Sequence, residues 1–289
     1  MLSILIPTKD YDCSLLVEEL HKQGEALGVP FEILVGEDGT QNLQLNKNAD
    51  TLNHCRRIIE KKNTGRAAMR NTLAQEAQYP YILFIDSDAI AENSSFISNY
   101  IQAIKQCEVV CGGLYHANKL SDKGCTLRYK YEKEADKERK AEIRNLAPYD
   151  KFTTFNFAIN RELFLSIQFN EEIKRYGYED TLFGKELEKR NVKIMHINNM
   201  LLHNGLECNE IYLAKVEQAL ATLNDIKEEI KNTPLLQCAA KIEQLHIKKI
   251  FLALWKRTQH LMRNNLLGEK PSLTILKIYK LGYFLSIKG

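Results

Sequence analysis

Tyr81-Ile82-Leu83-Phe84-Ile85-Asp86-Ser87-Asp88 decides how the rest of the chain is read. Five consecutive apolar or aromatic residues mark a strand buried on both faces, and the run delivers two carboxylates, one residue apart, to its end. Residues i and i+2 of an extended chain point the same way, so Asp86 and Asp88 can converge on one ion, or on an ion and a neighbouring hydroxyl. Hard oxygen donors at a strand end suit Mg²⁺ or Mn²⁺, which usually complete their shells with substrate phosphates. An acidic turn closing a strand would read the same way, because Asp and Ser are common in turns, so the flanking sequence has to decide.

On the N-terminal side, residues 3–7 form a short apolar strand, residues 14–27 a helix and residues 31–35 a second apolar run. The connection is long enough for a right-handed parallel crossover. Gly36-Glu37-Asp38-Gly39-Thr40 follows at the carboxyl end of the second strand, where open parallel sheets bind ligands. A polar, Asn-rich stretch then leads to Asn63-Thr64-Gly65, which opens a helix through Arg70 and Asn71 towards Gln78.

Downstream, Asn93-Ser94-Ser95 caps a helix to about Gln106, and residues 109–111 form a strand closed by Gly112-Gly113. Residues 128–145 are densely charged with mixed sign and are expected to make an exposed helix or a mobile insertion. A strand over 151–159 and a helix over 161–167 come next, then Tyr176-Gly177-Tyr178-Glu179-Asp180 ahead of a helix to about Arg190. A strand over 192–197 precedes Leu201-Leu202-His203-Asn204-Gly205, and beyond Asn209 the pattern is helical almost to the end. This alternation predicts an α/β sandwich with a mostly parallel central sheet. Thr233-Pro234 sets the expected boundary, with a domain over 1–235 and a basic amphipathic helical extension over 236–289.

With 289 residues, 44% of them hydrophobic, the chain can bury a substantial core. No run approaches the length of a membrane span, and the apolar opening meets Pro7 and Lys9 too soon for a signal peptide, so cytoplasmic residence is expected. Seven cysteines without a C-x-x-C pair read as free thiols rather than a disulfide framework or a zinc site. The net charge of +3 conceals an asymmetry: residues 241–289 hold ten Lys/Arg against two acids, and residues 1–240 hold 30 against 35. Ile247, Ile250, Phe251, Leu254, Trp255, Leu261 and Met262 follow helical spacing in that tail, with Lys248, Lys249, Lys256 and Arg257 among them. Such a stripe either packs on the main domain with its lysines solvated or lies on an anionic membrane surface, which would place the protein at the inner face of the cell membrane. No nucleic-acid module accompanies the charge, and no nucleic-acid partner is expected.

Three acidic loops thus fall at strand ends, Glu37/Asp38, Asp86/Asp88 and Glu179/Asp180, with His203 after a fourth strand. In this order they resemble the family 2 glycosyltransferases, enzymes of the GT-A fold, over roughly residues 3–210. Ser3-Ile4-Leu5-Ile6-Pro7-Thr8 is similar to the family's opening strand, and Glu37-Asp38-Gly39-Thr40 to its acidic nucleotide-binding loop, with Glu37 where an aspartate is usual. Asn63-Thr64-Gly65 through Arg70-Asn71 matches the N-x-G…R-N helix, and Asp86-Ser87-Asp88 the metal-binding D-x-D.

The resemblance implies a Rossmann-like α/β/α sandwich and an inverting, metal-dependent transfer of a hexosyl or N-acetylhexosaminyl group. The donor would be a nucleotide-sugar, UDP-sugar first, and the acceptor a hydroxyl of a glycan or lipid-linked saccharide, in cell-surface polysaccharide synthesis. It implies nucleotide-sugar contacts from Pro7, Thr8, Glu37, Asp38, Gly65, Arg70, Asp86 and Ser87. Mn²⁺ or Mg²⁺ would be held by Asp88, with His203 and Asp86. Asp180 would be the base that deprotonates the acceptor, with Glu179 holding the acceptor sugar. Chemistry agrees: cleavage at the anomeric carbon builds negative charge on a diphosphate, which a cation and a guanidinium stabilise.

Two other readings stay open on sequence. Phe84-Ile85-Asp86-Ser87-Asp88 is also similar to the nucleophile motif of haloacid-dehalogenase-type phosphohydrolases, with Asp86 attacking, though Ile90 and the 65–71 helix fit it poorly. A non-catalytic sugar-nucleotide-binding module would share the fold. Tyr176 and Tyr178 either stack on a sugar or pack internally, and His196 reads as core.

Overall fold

The computed structural model describes residues 1–120, 122–173, 175–231 and 233–287; Lys288 and Gly289, which end the basic tail, lie outside the described residues. In chain order the elements begin with β1 (Leu2–Thr8), α1 (Ser14–Leu27), β2 (Phe31–Asp38), β3 (Cys55–Glu60), α2 (Arg66–Glu76) and β4 (Tyr81–Ile85). They continue with β5 (Ala89–Ile90), α3 (Phe96–Ala103), β6 (Val109–Cys111), β7 (Leu114–Tyr115), α4 (Thr126–Ala135) and α5 (Ala141–Arg144). After these come β8 (Asn156–Asn160), α6 (Arg161–Ile167), α7 (Glu179–Lys189), β9 (Ile194–His196) and β10 (Leu201–His203). Four helices complete the chain, α8 (Asn209–Asp225), α9 (Pro234–Gln244), α10 (Lys248–Leu267) and α11 (Leu273–Ser286).

Two compact units result. The first comprises Met1–Ala117, Asp136–Lys174 and Glu179–Gly205, and the second Asn118–Ala135, Arg175–Tyr178 and Leu206–Gly289. The first unit is built on a seven-stranded sheet in the order β3-β2-β1-β4-β8-β6-β9, parallel throughout except for β8. Its central strands are apolar at nearly every position because both faces are covered. Alternation assigns the residues to two layers: Leu2, Ile4 and Ile6 pack with Val17 and Leu20 of α1 and Tyr100 of α3. Leu5, Leu34 and Phe84 pack the other way, with Met69 and Leu73 of α2, Phe164 of α6 and Phe183 of α7. The carboxyl ends of β1, β2, β3 and β4 therefore share one edge, as the parallel pairing requires.

Strand β3 was not foreseen; its Arg56 and Arg57 disguise an edge strand whose guanidinium groups bind Glu76 and Asp50. Residues 128–145 depart from an exposed or mobile insertion. Glu132 and Arg144 are buried, and within the first unit the Arg144 guanidinium donates to the carbonyls of Cys111, Gly112, Arg139 and Ile197.

The second unit is helical. Tyr212 and Leu213 of α8, Trp255 and Leu266 of α10, and Leu276 and Tyr279 of α11 form its core, together with Leu127 of α4. The expected boundary near 235 falls inside this unit, where the Thr233 hydroxyl caps α9 at Leu236 N. Helix α8 groups with the C-terminal helices because its apolar residues face α10 and α11. Among the described residues no helix is long and apolar enough to cross a membrane.

Candidate active site

Strand β4 ends in a tight turn: Ala89 N donates to Asp86 O at 3.1 Å, with half-buried Ser87 inside it, and Asp86 N donates to Phe155 O at 2.9 Å. An aromatic block fixes its position. Phe84 stacks on Phe157 with centroids 5.0 Å apart, and Phe183, one turn into α7, stacks on Phe169 at 4.6 Å. The same block thus holds the D-x-D turn and the helix whose first two residues are Glu179 and Asp180.

Arg70 lies on the buried face of α2, 3% exposed, and its Nη2 donates to Asp86 Oδ1 at 2.7 Å. Its Nε and Nη1 are buried with no partner among the described residues. Leaving charged donors unsatisfied is costly, and this edge of the guanidinium keeps unused hydrogen-bonding capacity. Burial raises the Asp86 carboxyl above its ordinary range and Asp88 adds to the rise, while Arg70 opposes both. The Arg70 charge also reaches Asp180.

Asp88 belongs to a different constellation. A small three-stranded sheet, β5-β10-β7, pairs His203 with Ala89 and Leu202 with Tyr115, which sets His203 beside both Asp88 and His116. Asp88 Oδ2 lies 3.1 Å from His203 Nε2, His203 Nδ1 lies 3.0 Å from His116 Nε2, and His116 Nδ1 lies 3.1 Å from Asp136 Oδ1. The ionised Asp136 carboxylate needs a donor at His116 Nδ1. A neutral His116 then accepts through Nε2, His203 donates from Nδ1, and the lone pair of His203 Nε2 faces Asp88. Two acceptors set against each other are reconciled by positive charge between them, either a proton on His203 Nε2 or a divalent ion.

The donor set fits one. Ligands at right angles on an ion with bonds of ~2.1 Å stand about 3.0 Å apart, close to the observed spacing. No group of three His, Cys, Asp or Glu that could hold an ion occurs among the described residues, so an ion held by this pair would take the remainder of its shell from water and phosphate oxygens. Asp86, expected as a further ligand, shares its Oδ1 with Arg70, which competes for that oxygen. Gly205 is required beside Asp88: a Cβ there would lie 2.1 Å from Oδ2.

The nucleotide loop is also redistributed. Asp38 Oδ1 accepts from Thr64 N at 2.6 Å and Thr64 Oγ1 at 2.8 Å, and Oδ2 accepts from Gly65 N at 2.9 Å, so this carboxylate anchors the turn ahead of α2. Glu37 lies one residue earlier, on β2. It is fully enclosed, accepting from Asn46 Nδ2 at 3.0 Å, and supports the loop from beneath. Gly65 has φ +101°, and a Cβ there would meet nothing within 4 Å, which leaves open space beside the N-terminus of α2. Pro7 pairs with Gly36 at the same edge, and Thr8 Oγ1 donates to Tyr11 O at 3.2 Å. The Tyr11 phenol, between Asn204 and Asp88, is raised in pKa by burial first and by the Asp88 charge next.

Asp180 accepts from Thr181 N at 2.7 Å, yet burial and its neighbour Glu179 push its carboxyl up to about 6. That is the range of a working general base. In the second unit the Tyr176 ring lies under Lys215 Nζ, 5.1 Å from the centroid. His196 is core: it is 2% exposed, held by Arg144 and Pro148 O, and burial lowers it to about 4. Tyr11, His116, Asp136 and Asn204 escaped the sequence reading. No spacing rule links His116 or Asp136 to a histidine some 70 to 90 residues away, and Asn204 offered only its place after His203.

Similarity to solved structures defines the class first. S. aureus TarS 1-349 matches at 17% identity and a TM-score of 0.50, covering 98% of this chain and 89% of that one. The mannosyltransferase PcManGT from Pyrobaculum calidifontis, solved with GDP-Man and Mn²⁺, matches at 12% identity and a TM-score of 0.58, covering 98% and 84%. Glucosyl-3-phosphoglycerate synthase from Mycobacterium tuberculosis, solved with Mn²⁺, UDP and glucosyl-3-phosphoglycerate, matches at 13% and 0.50, covering 77% and 78%. The fold is that of the GT-A glycosyltransferases. Against curated proteins the chain finds no significant match. The sequence profile of Glycosyl transferase family 2 matches residues 3–167, more than half of the chain, and the protein belongs to that family. Membership sets aside the phosphohydrolase reading of Asp86.

Proposed function

We propose that this chain is an inverting, metal-dependent glycosyltransferase that moves a hexosyl or N-acetylhexosaminyl group from a UDP-sugar to a hydroxyl of a glycan or lipid-linked saccharide, in cell-surface polysaccharide synthesis. One observation carries the reading: Asp88, paired with His203, lies two residues from Asp86, which binds a buried Arg70 with two unsatisfied guanidinium nitrogens, at the strand edge where nucleotides bind this fold. The nitrogen ligand favours Mn²⁺ over Mg²⁺. A metal on Asp88 and His203 would supply positive charge to the leaving diphosphate.

The chain's own groups do the rest. Pro7, Thr8 and Gly65 border the nucleotide, with Asp38 holding the turn that shapes its site and Ser87 in the turn below the sugar. Glu179 binds acceptor hydroxyls. Asp180 takes the acceptor proton as that oxygen attacks the anomeric carbon from the face opposite the diphosphate. The breaking C–O bond leaves its electron pair on the leaving phosphate oxygen, to which the free edge of Arg70 donates. Residues 241–289 would hold the enzyme at the inner face of the cell membrane, near lipid-linked acceptors.

A panel of UDP- and GDP-sugars with Mn²⁺ or Mg²⁺, read by nucleotide release, tests the proposal. Metal-dependent release with one donor, abolished by Asp88→Ala, is expected. No binding or release with any donor would overturn it, and release only from GDP-sugars would replace the nucleotide.

A further inference from the structure

Seven apolar residues of the tail read as one stripe in the sequence, and the structure splits them between two faces of one helix. Trp255 and Met262 turn inward, with Phe251 half-buried: Trp255 is 6% exposed and packs against Tyr279 of α11 at 6.1 Å, and Met262 packs against the same core. Ile247, Ile250, Leu254 and Leu261 turn outward, 41%, 65%, 60% and 60% exposed. At ~100° per residue the outward four fall within about 60° of one another, Arg257 lies about 20° beyond Ile250, and Lys249 and Lys256 lie about 100° and 120° beyond it on the same side. The inward face already satisfies the core of this unit, so the outward stripe is surplus to folding.

The charge on α10 identifies the occupant. From Gln244 to Gly268 there is no acidic residue, and α10 carries five basic ones. Lys248 and Arg263 are spent on Glu243 and Glu217, whereas Lys249, Lys256 and Arg257 make no ion pair with any described residue. A second copy docked through this stripe would bring like charges together. With five charges, α10 is no membrane-crossing helix, and among the described residues no other qualifies.

We propose that the outward face of α10 lies on an anionic lipid surface, Ile247, Ile250, Leu254 and Leu261 entering the headgroup–acyl boundary and Lys249, Lys256 and Arg257 binding lipid phosphates. This rests on the reading of the chain as a peripheral enzyme, and it assigns that contact to one face of one helix.

Flotation of the full chain with vesicles of ~30% phosphatidylglycerol in phosphatidylcholine, and with phosphatidylcholine alone, tests it. Binding to the anionic vesicles only is expected, weakened at least tenfold in the double variant Ile250→Ser/Leu254→Ser and in Lys249→Glu/Lys256→Glu, and reversed by high salt. Equal binding to neutral vesicles, no binding, or unchanged flotation of both variants would overturn it. A wild-type dimer that the serine variant converts to monomer would also overturn it and make the stripe a subunit interface. Nucleotide release in vesicle-free buffer, measured on the same preparations, separates loss of lipid contact from failure of the transferase reading.

Discussion

Replacing His116 with Phe keeps a flat aromatic ring against His203, whose ring meets His116 edge-on at 5.0 Å, but removes the acceptor for His203 Nδ1. The buried Nδ1–H is then unpaired, at a cost of about 1–3 kcal/mol, which the histidine relieves by moving its proton to Nε2. That tautomer presents N–H rather than a lone pair to the space beside Asp88. At about 1.4 kcal/mol per decade, the metal should bind roughly 10- to 100-fold more weakly, in line with what loss of an outer-shell partner costs at other histidine metal sites.

Free Mn²⁺ counted by electron paramagnetic resonance during titration, with UDP present, measures this without any turnover. His116→Gln can place an amide oxygen near the lost acceptor and should recover much of the affinity. Asp136→Leu, which removes the group orienting His116, should approach the His116→Phe value, with melting temperatures reported for each. Mn²⁺ affinity in His116→Phe within threefold of wild type, while His203→Ala binds at least tenfold more weakly, would refute the relay and leave His116 as packing.

Other outcomes follow from the same geometry. Asp180→Asn should lower kcat by about 10²–10⁴-fold with UDP affinity unchanged. Because the base must be ionised and its carboxyl is raised to about 6, wild-type kcat should fall close to tenfold per pH unit below 6, a limb the variant should lack; a flat wild-type profile from pH 5 to 8 would remove Asp180 from that role. Gly205→Ala, whose Cβ would stand 2.1 Å from Asp88 Oδ2, should displace that carboxylate and raise the Mn²⁺ concentration for half-maximal release at least tenfold. Arg144→Met should strip donors from four carbonyls and cost about 3 kcal/mol or more in urea unfolding, whereas a loss below about 1 kcal/mol would show that Arg144 is dispensable.

Legibility in the sequence tracked the range of the interaction. β1, α1, β2 and β4 were plain because a parallel strand covered on both faces must be apolar along its length, and the pattern is local. β3 was hidden because an edge strand tolerates Arg56 and Arg57, whose partners lie in other elements. The 128–145 segment misled through its charge: charge predicts exposure only where water is the sole solvent on offer, and Arg144 finds four carbonyls instead. The places of the D-x-D turn, Arg70 and Asp180 in the fold were legible because each sits one step past a strand or inside a helix that declares itself.

What the D-x-D spacing could not convey was that its two carboxylates are divided between different partners. Alternation along an extended chain places Asp86 and Asp88 on one side, but β4 ends at Ile85, and the turn that follows cancels the rule at the residues to which it was applied. Asp86 goes to Arg70, on an α2 packed against the main sheet. Asp88 goes to His203, on a strand of the small sheet, and through it to His116 and Asp136. On the proposed function, phosphate recognition and metal binding would be supported by separate elements, and a substitution at His116 should then move metal affinity while leaving the Arg70–Asp86 pair in place.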